Sequence, residues 1–355
     1  MESNVVACVI TGNYIPHSLI LYRSLAQANP GTRLIALILG EEDRLEAEIQ
    51  EGPEWIFWNR LYSETERRQL VEKYTAFELS CATRGRFHEY LYLQSGAEKW
   101  IMLDTDMYIL GSLDPIWQSL EENTLILTPH SRNPHQSSDT QVNLIRSGIY
   151  NAGFLAFKKC PEAWRAIRWF KERTEELGYA SPHRQASGMR GDGHGCLFVD
   201  QIWLNFMPVF FAGVNSTGAP QWNLGHWNLE DGVLEQDELG RYLFDGHQVV
   251  VVHFSGIDLN HPEYVSTHAS RYREKPNFTW AAMAAGYIEA LLCAREAGAR
   301  IGYCYTDQLA AAIEAAAARQ KSGQRSRKQQ LRKILSRLKQ MAANVRRLLT
   351  RFPAR

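Results

Sequence analysis

Along the first third of the chain, short apolar runs alternate with stretches of helical spacing, the pattern of strands interleaved with helices. Val5 to Thr11 is a β-rich run that Gly12-Asn13-Tyr14 breaks ahead of Pro16, a residue suited to the first turn of a helix. Helical spacing then continues to Asn29-Pro30-Gly31, and Leu34 to Leu39 is a second strand. Strand, helix, strand predicts a parallel βαβ unit whose ligands bind beyond the carboxyl ends of the strands, here around Thr11 to Tyr14. The segment lacks GxGxxG, so a dinucleotide fingerprint is not what holds a ligand there.

The alternation continues. Glu54 to Trp58 predicts a short strand, and Ser63-Glu64-Thr65-Glu66 has capping-box spacing for a helix running to about Tyr74. Phe77 to Leu93 is helical in pattern, with an interruption expected near Gly85, and carries Arg84. Lys99 to Leu103 is a buried strand ending in Asp104-Thr105-Asp106. A short apolar run, Met107 to Leu110, a helix start at Leu113-Asp114-Pro115 and a strand from Thr124 to Thr128 follow, and the polar stretch Pro129 to Ser137 predicts a surface loop. Ile149 to Phe157 is a strand with Asn151 and Gly153 inside it; glycine there marks either a close ligand approach or a bulge. Pro161 to Leu177 is a helix, and the Gly-rich Ser181 to Gly195 predicts a lid leading to Asp200 and Gln201 at a helix start. Gln248 to Gly256 is a second strongly apolar strand that closes the main domain, with His253 near its end. Trp280 to about Ala318 predicts two packed helices broken at Gly298 and at Gly302-Tyr303.

Composition narrows the class. At 355 residues, 45% hydrophobic and 11% aromatic, the chain is folded rather than generally disordered. Six cysteines without CxxC or regular spacing suggest neither a disulfide framework nor a zinc knuckle, and favour a reducing compartment. The N-terminal apolar run has no basic segment before it and suits a first strand better than a signal peptide, and no stretch approaches the roughly 20 apolar residues of a spanning helix. The expectation is a cytoplasmic protein, in three parts: a catalytic domain over 1–279, a helical extension over 280–318 and a basic amphipathic helix over 319–355.

The acidic pair is the candidate chemistry. Positions i and i+2 near a strand end point the same way, so Asp104 and Asp106 can aim both carboxylates at one point. Two hard oxygen ligands there suit Mg²⁺ or Mn²⁺, which prefer a few protein carboxylates plus a substrate diphosphate. Taken alone, Asp-x-Asp reads first as an acidic turn that closes a strand, so context must decide.

Taken in order, Thr11-Gly12-Asn13-Tyr14, Arg84, Leu103-Asp104-Thr105-Asp106, Tyr150-Asn151-Ala152-Gly153, Val199-Asp200-Gln201 and His253-Phe254-Ser255-Gly256 resemble the nucleotide-sugar glycosyltransferases of the GT-A fold, nearest to glycosyltransferase family 8 and its bacterial relatives. The resemblance spans roughly 5–273 and implies an α/β fold, a mixed Rossmann-like sheet flanked by helices. It implies that Asp104, Asp106 and His253 hold Mn²⁺ or Mg²⁺, and that Thr11, Asn13 and Tyr14 hold the base and ribose of a UDP-linked donor, with Tyr14 stacked on uracil. Arg84 would bridge phosphate and sugar hydroxyls, Asn151 and Gly153 would border the donor sugar, and Asp200 and Gln201 would bind its other face and steady charge at the anomeric carbon. Ser255 and Gly256 would offer backbone N–H groups to the diphosphate. The implied reaction is hexosyl transfer, with retention, to a glycan or lipid-linked acceptor. The chain departs from the family in two places: Arg84 stands where Lys is usual, and no Lys follows within Ile257 to Tyr264, leaving Arg271 or Arg273 to supply a phosphate contact. A nucleotidyltransferase acting on sugar phosphates and a non-catalytic glycan-binding scaffold are the competing readings.

Charge is divided along the chain. From Arg319 to the end there are thirteen Lys/Arg and no Asp/Glu, so a net charge of zero joins an acidic body to a basic tail. Leu331, Ile334, Leu335, Leu338, Met341, Val345, Leu348, Leu349 and Phe352 recur at three- and four-residue steps, and the basic residues lie off that stripe or flank it. Such a helix, over 325–352, suits the interface of an anionic membrane and a peripheral position on its inner face. The competing partners are the catalytic domain itself, a second subunit in a homo-oligomer, and nucleic acid, against which the lack of aromatic interleaving argues.

Overall fold

The computed structural model describes residues 4–40, 52–134, 137–180, 198–259, 261, 264–268 and 277–299. Strand β1 (Asn4–Ile10) is followed by α1 (Ile15–Ala28), β2 (Arg33–Ile38) and β3 (Glu54–Phe57). Helices α2 (Glu64–Lys73) and α3 (Ala76–Gln94) lead to β4 (Lys99–Leu103), the short β5 (Met107–Ile109), α4 (Asp114–Glu122) and β6 (Leu125–Pro129). Then come α5 (Ser138–Ser147), β7 (Tyr150–Lys158), α6 (Pro161–Leu177), a 3₁₀ turn over Gln201–Phe206, α7 (Met207–Phe210) and β8 (Val214–Asn215). Three short strands, β9 (Leu234–Gln236), β10 (Tyr242–Phe244) and β11 (His247–Gln248), precede β12 (Val251–His253) and α8 (Phe278–Ala299).

The main sheet has the order β3-β2-β1-β4-β7-β6-β8. Its β3-β2-β1-β4 half is parallel, as the opening βαβ predicts, whereas β7 runs antiparallel to both β4 and β6. The α/β mixed sheet flanked by helices is therefore the architecture expected. Both faces are covered, which is why the strands read as continuous apolar runs rather than alternating ones. On one face Val5 and Ala7 of β1 with Trp100 and Met102 of β4 pack against Leu79 and Phe87 of α3 and Ile167 and Phe170 of α6. On the other, Val6, Cys8, Ile101 and Leu103 meet Leu21 and Leu25 of α1 and Ile116 and Leu120 of α4.

Local signals placed most helix starts. The capping box at Ser63 and Glu66 is complete, and a second, at Thr75 and Glu78, starts α3. Helix α3 then runs unbroken through Gly85, contrary to the expected interruption. A Cβ at Gly85 would lie 2.4 Å from the Cα of Lys171 and 2.7 Å from Thr174 Oγ1, so the glycine lets α3 and α6 approach rather than ending a helix.

Two further expectations are corrected. Gln248 to Gly256 is not one strand: β11 pairs with β10, while β12 turns to pair with β5. Ser138 to Ser147, for which no helix was expected, forms α5, a helix without a buried residue and so with little apolar pattern to announce it. Helix α8 begins at Phe278, continues through Gly298, and seats Trp280, Met283, Tyr287 and Leu291 in one apolar cluster with Ile20 of α1 and Val252 and Phe254. The expected lid at 181–195, the second helix of the extension and the basic tail lie outside the described residues. Among those described, no helix is long and apolar enough to cross a membrane.

Candidate active site

Strands β1 and β4 are parallel neighbours, so Thr11 and Asp104, which follow them, emerge at the same edge of the sheet. The Asp104 amide extends the β4–β7 ladder by donating to the Gly153 carbonyl at 2.8 Å. The chain then turns through Thr105 and Asp106 into β5, whose Met107 pairs with His253 of β12. Phe254 donates its amide to the Asp106 carbonyl at 2.9 Å, which locks the two segments beside one another. The pairing of a two-stranded ribbon thus delivers a histidine to a pair of aspartates nearly 150 residues earlier.

His253 Nε2 stands 3.1 Å from Asp106 Oδ1 and 3.7 Å from Asp104 Oδ2. One ligand atom from each of the three residues lies within 4.8 Å of the others, a spacing at which they could hold a metal ion. His253 is buried, whereas both carboxylates are partly open. Burial alone would raise the Asp106 carboxyl; the charge and hydrogen bond of His253, with His17 nearby, outweigh it and hold the group below its ordinary range. Trp227 stands edge-on to the His253 ring at 5.2 Å.

Gly153 belongs to this geometry. A Cβ there would meet His253 Cε1 at 2.5 Å, Asp104 Oδ2 at 2.7 Å and Asn151 Oδ1 at 2.7 Å. Of the two readings of a glycine in this strand, the bulge is present: β7 carries three extra residues between its Leu127–Leu155 and Pro129–Tyr150 pairings with β6. The space the glycine leaves is taken by side chains of the cluster itself.

Arg84 links the cluster to Asp200. Its guanidinium pairs with Asp104 Oδ1, donates to Asp200 Oδ2 at 3.1 Å and donates to the Ala152 carbonyl at 2.8 Å. Burial works against its charge, and Asp200, Cys81 and Asp106 together more than restore it. Arg84 is thus a largely buried residue of α3, not a surface one. Asp200 stands at the start of the 3₁₀ turn, yet its side chain makes no capping bond. The preceding Val199 has φ +45°, a rare conformation for a β-branched residue and a local cost that the surrounding structure must offset. Gln201 accepts from the Ala152 amide at 3.1 Å and donates to the Ser147 carbonyl at 2.8 Å.

Helix α3, which carries Arg84, is fastened to β4 by Trp100 Nε1, which donates to His88 Nδ1 at 2.9 Å. Burial, helped by the Arg84 charge, pushes His88 down to about 3, so its ring is a neutral acceptor. At the other side, the Thr11 hydroxyl donates to Asn13 Oδ1 at 2.5 Å, and the partly exposed Tyr14 ring lies 4.7 Å from that of His17. Ser255 and Gly256 follow His253 and Phe254; their carbonyls accept from Ser266 Oγ at 2.7 Å and from the Thr267 amide at 2.8 Å. Arg271 and Arg273 lie outside the described residues.

Sequence reasoning did not single out Asn223, Thr128 or His130. Asn223 is buried behind His253 and bonds to Thr128 and Asn151, while His130 bonds to Asn151 from the far side. No local pattern announces an isolated Asn in a loop.

No family model matches the chain. Among curated proteins it is similar to the uncharacterised protein YfnF of Bacillus subtilis strain 168, with 26% identity over 161 residues; the match covers 45% of this chain and 50% of that protein. Solved structures to which the chain is similar include the following three. One is the galactosyltransferase LgtC in complex with donor and acceptor sugar analogues, at 19% identity and TM-score 0.46, covering 79% of this chain and 95% of that one. Another is the glycosyltransferase GlyE of Streptococcus pneumoniae TIGR4, at 16% identity and TM-score 0.44, covering 81% and 64% respectively. The third is mouse xyloside xylosyltransferase 1 in its apo form, at 13% identity and TM-score 0.41, covering 70% and 97%.

Proposed function

We propose that this chain is a metal-dependent glycosyltransferase that moves a hexose from a UDP-linked donor to a glycan or lipid-linked acceptor with retention of configuration. The observation that carries this reading is the convergence of Asp104, Asp106 and His253 from two distant segments. An acidic turn that only closed a strand would need neither a histidine from another strand, nor a glycine cleared for its ring, nor a buried guanidinium joining it to a second carboxylate.

The donor set fits Mn²⁺ or Mg²⁺: two hard carboxylates and one imidazole, with Asp104 offering Oδ2 because Arg84 occupies Oδ1. When bound, such an ion supplies Lewis-acid stabilisation of the departing diphosphate without proton transfer. The chain's own residues do the rest. Tyr14 offers a partly exposed ring face to the base, beside Thr11 and Asn13. Arg84 pairs with Asp104 and Asp200 and pins the main chain between Asn151 and Gly153, which borders the donor sugar. Asp200, aimed by Arg84, steadies positive charge developing at the anomeric carbon, and Gln201, held at both ends of its amide, orients the sugar. Ser255 and Gly256 present main-chain donors to the diphosphate. The basic segment 325–352 holds the protein at an anionic membrane surface.

A panel of nucleotide sugars incubated in Mn²⁺ with the wild type and with Asp106→Ala tests the reading. UDP release by the wild type, lost in the variant, supports it; release of pyrophosphate instead identifies a nucleotidyltransferase, and no turnover of any donor leaves the scaffold reading. Product NMR reports the anomeric outcome, and an inverted product removes the retaining step.

A further inference from the structure

The histidine of the acidic cluster has two ring nitrogens, and only the one without a proton can face a cation. Hydrogen positions follow here from the polarity of the network around it. The Ile149 carbonyl can only accept, so His130 Nδ1, 3.1 Å away, carries a proton and its Nε2 accepts from Asn151 Nδ2 at 3.3 Å. The Gly153 amide can only donate, so the atom 3.1 Å away is Asn151 Oδ1, in agreement with the same assignment. That oxygen also receives Asn223 Nδ2 at 3.0 Å, and Nδ2 donates again to Thr128 Oγ1 at 2.8 Å. Both Asn223 protons are thereby spent, and its Oδ1 is left against His253 Nδ1 at 3.3 Å.

From this chain of donors and acceptors we propose that Asn223 is a positioning residue that keeps the proton on His253 Nδ1 and so directs the Nε2 lone pair at the cation site between Asp104 and Asp106. The inference rests on the metal-dependent reading above. Two main-chain groups, the Ile149 carbonyl and the Gly153 amide, set the direction of the whole network, and Asn223 passes that direction to the ligand. Outer hydrogen bonds of this kind fix the tautomer and ring orientation of metal-bound histidine, and their loss weakens metal affinity about 10–100-fold.

The test uses the full chain labelled with ¹⁵N-histidine. Long-range ¹H–¹⁵N spectra, taken without metal and with diamagnetic Mg²⁺, are expected to show a proton on His253 Nδ1 in both states; Nε2, 3.1 Å from the Asp106 carboxylate, gives up any proton of its own when the cation binds. In Asn223→Leu, similar in volume but without the acceptor, that signature is expected to be lost or mixed, and the Mn²⁺ dissociation constant measured by calorimetry to rise about 10–100-fold. A wild type protonated on Nε2 alone overturns the proposal whether or not the variant folds. So does an Asn223→Leu protein that melts like the wild type and keeps its Mn²⁺ affinity and its spectrum. Failure of the underlying reading is separate: a wild type that takes up neither Mn²⁺ nor Mg²⁺ removes the cation, while the proton on Nδ1 still reports on Asn223.

Discussion

A Cβ placed on Gly153 would stand 2.5 Å from Cε1 of His253. These residues are 100 positions apart, and the missing methyl of one is the room in which the ring of the other lies. Gly153→Ala must displace the imidazole, the Asp104 carboxylate or the β7 backbone. Overpacking of this kind costs about 1–3 kcal/mol. The expected outcome is a folded variant of lower urea midpoint whose Mn²⁺ binding, read by calorimetry, is weakened at least about 10-fold. Unchanged Mn²⁺ affinity would show that the ring does not bind metal where it now stands.

Arg84 is buried between Asp104 and Asp200, and the Asp200 side chain is only 2% exposed. Arg84→Met leaves Asp200 as a buried charge without its cation, expected to cost about 3–5 kcal/mol in urea unfolding. Adding Asp200→Leu removes the stranded charge and is expected to recover part of that loss, although neither protein turns over donor. Losses that simply add would mean that the two groups are not coupled.

If the acidic cluster binds metal only when folded, Mn²⁺ must stabilise the protein by mass action. At a hundredfold excess over its dissociation constant, the gain is about 2.7 kcal/mol. For a chain of this size that is a rise of about 4–5 °C in melting temperature. Scanning calorimetry with and without Mn²⁺ measures it, and Asp106→Ala is expected to abolish the rise. An equal rise in that variant would place the ion elsewhere.

His88 is buried and neutral, with its pKa pushed from the ordinary 6.5 to about 3 by burial and by the Arg84 charge. The unfolded chain therefore takes up a proton below pH 6.5 that the folded chain refuses until about pH 3. Stability falls as pH falls through that window, by up to about 1.4 kcal/mol per pH unit from this group. His88→Gln keeps an acceptor for Trp100 and cannot titrate, so its stability in urea is expected to fall less steeply between pH 6 and pH 4. An identical slope would show that His88 is protonated in the folded protein.

Much of the site was legible in local pattern. The buried run Lys99 to Leu103 ending in two aspartates announced both the strand and its chemistry, and Ser63-x-x-Glu66 announced a helix start. Thr75-x-x-Glu78 carried the same signature and passed unnoticed. One glycine was misjudged and another left open, because the cause lay in what approached them. Gly85 looked like a helix breaker and proved to be the contact between α3 and α6, and Gly153 was open to two readings until His253 was in place.

The amino-acid sequence by itself determined the alternation of strands and helices, the double burial of the sheet and the place where acid meets apolar strand, since each depends on a few neighbouring residues. Tertiary structure alone decided that His253 faces Asp104 and Asp106, that Arg84 reaches Asp200, and that Asn223 stands behind the imidazole. Those relations depend on strand register and on side chains brought together from distant segments. The free energy that selects them is shared over the whole core, and no local stretch records it.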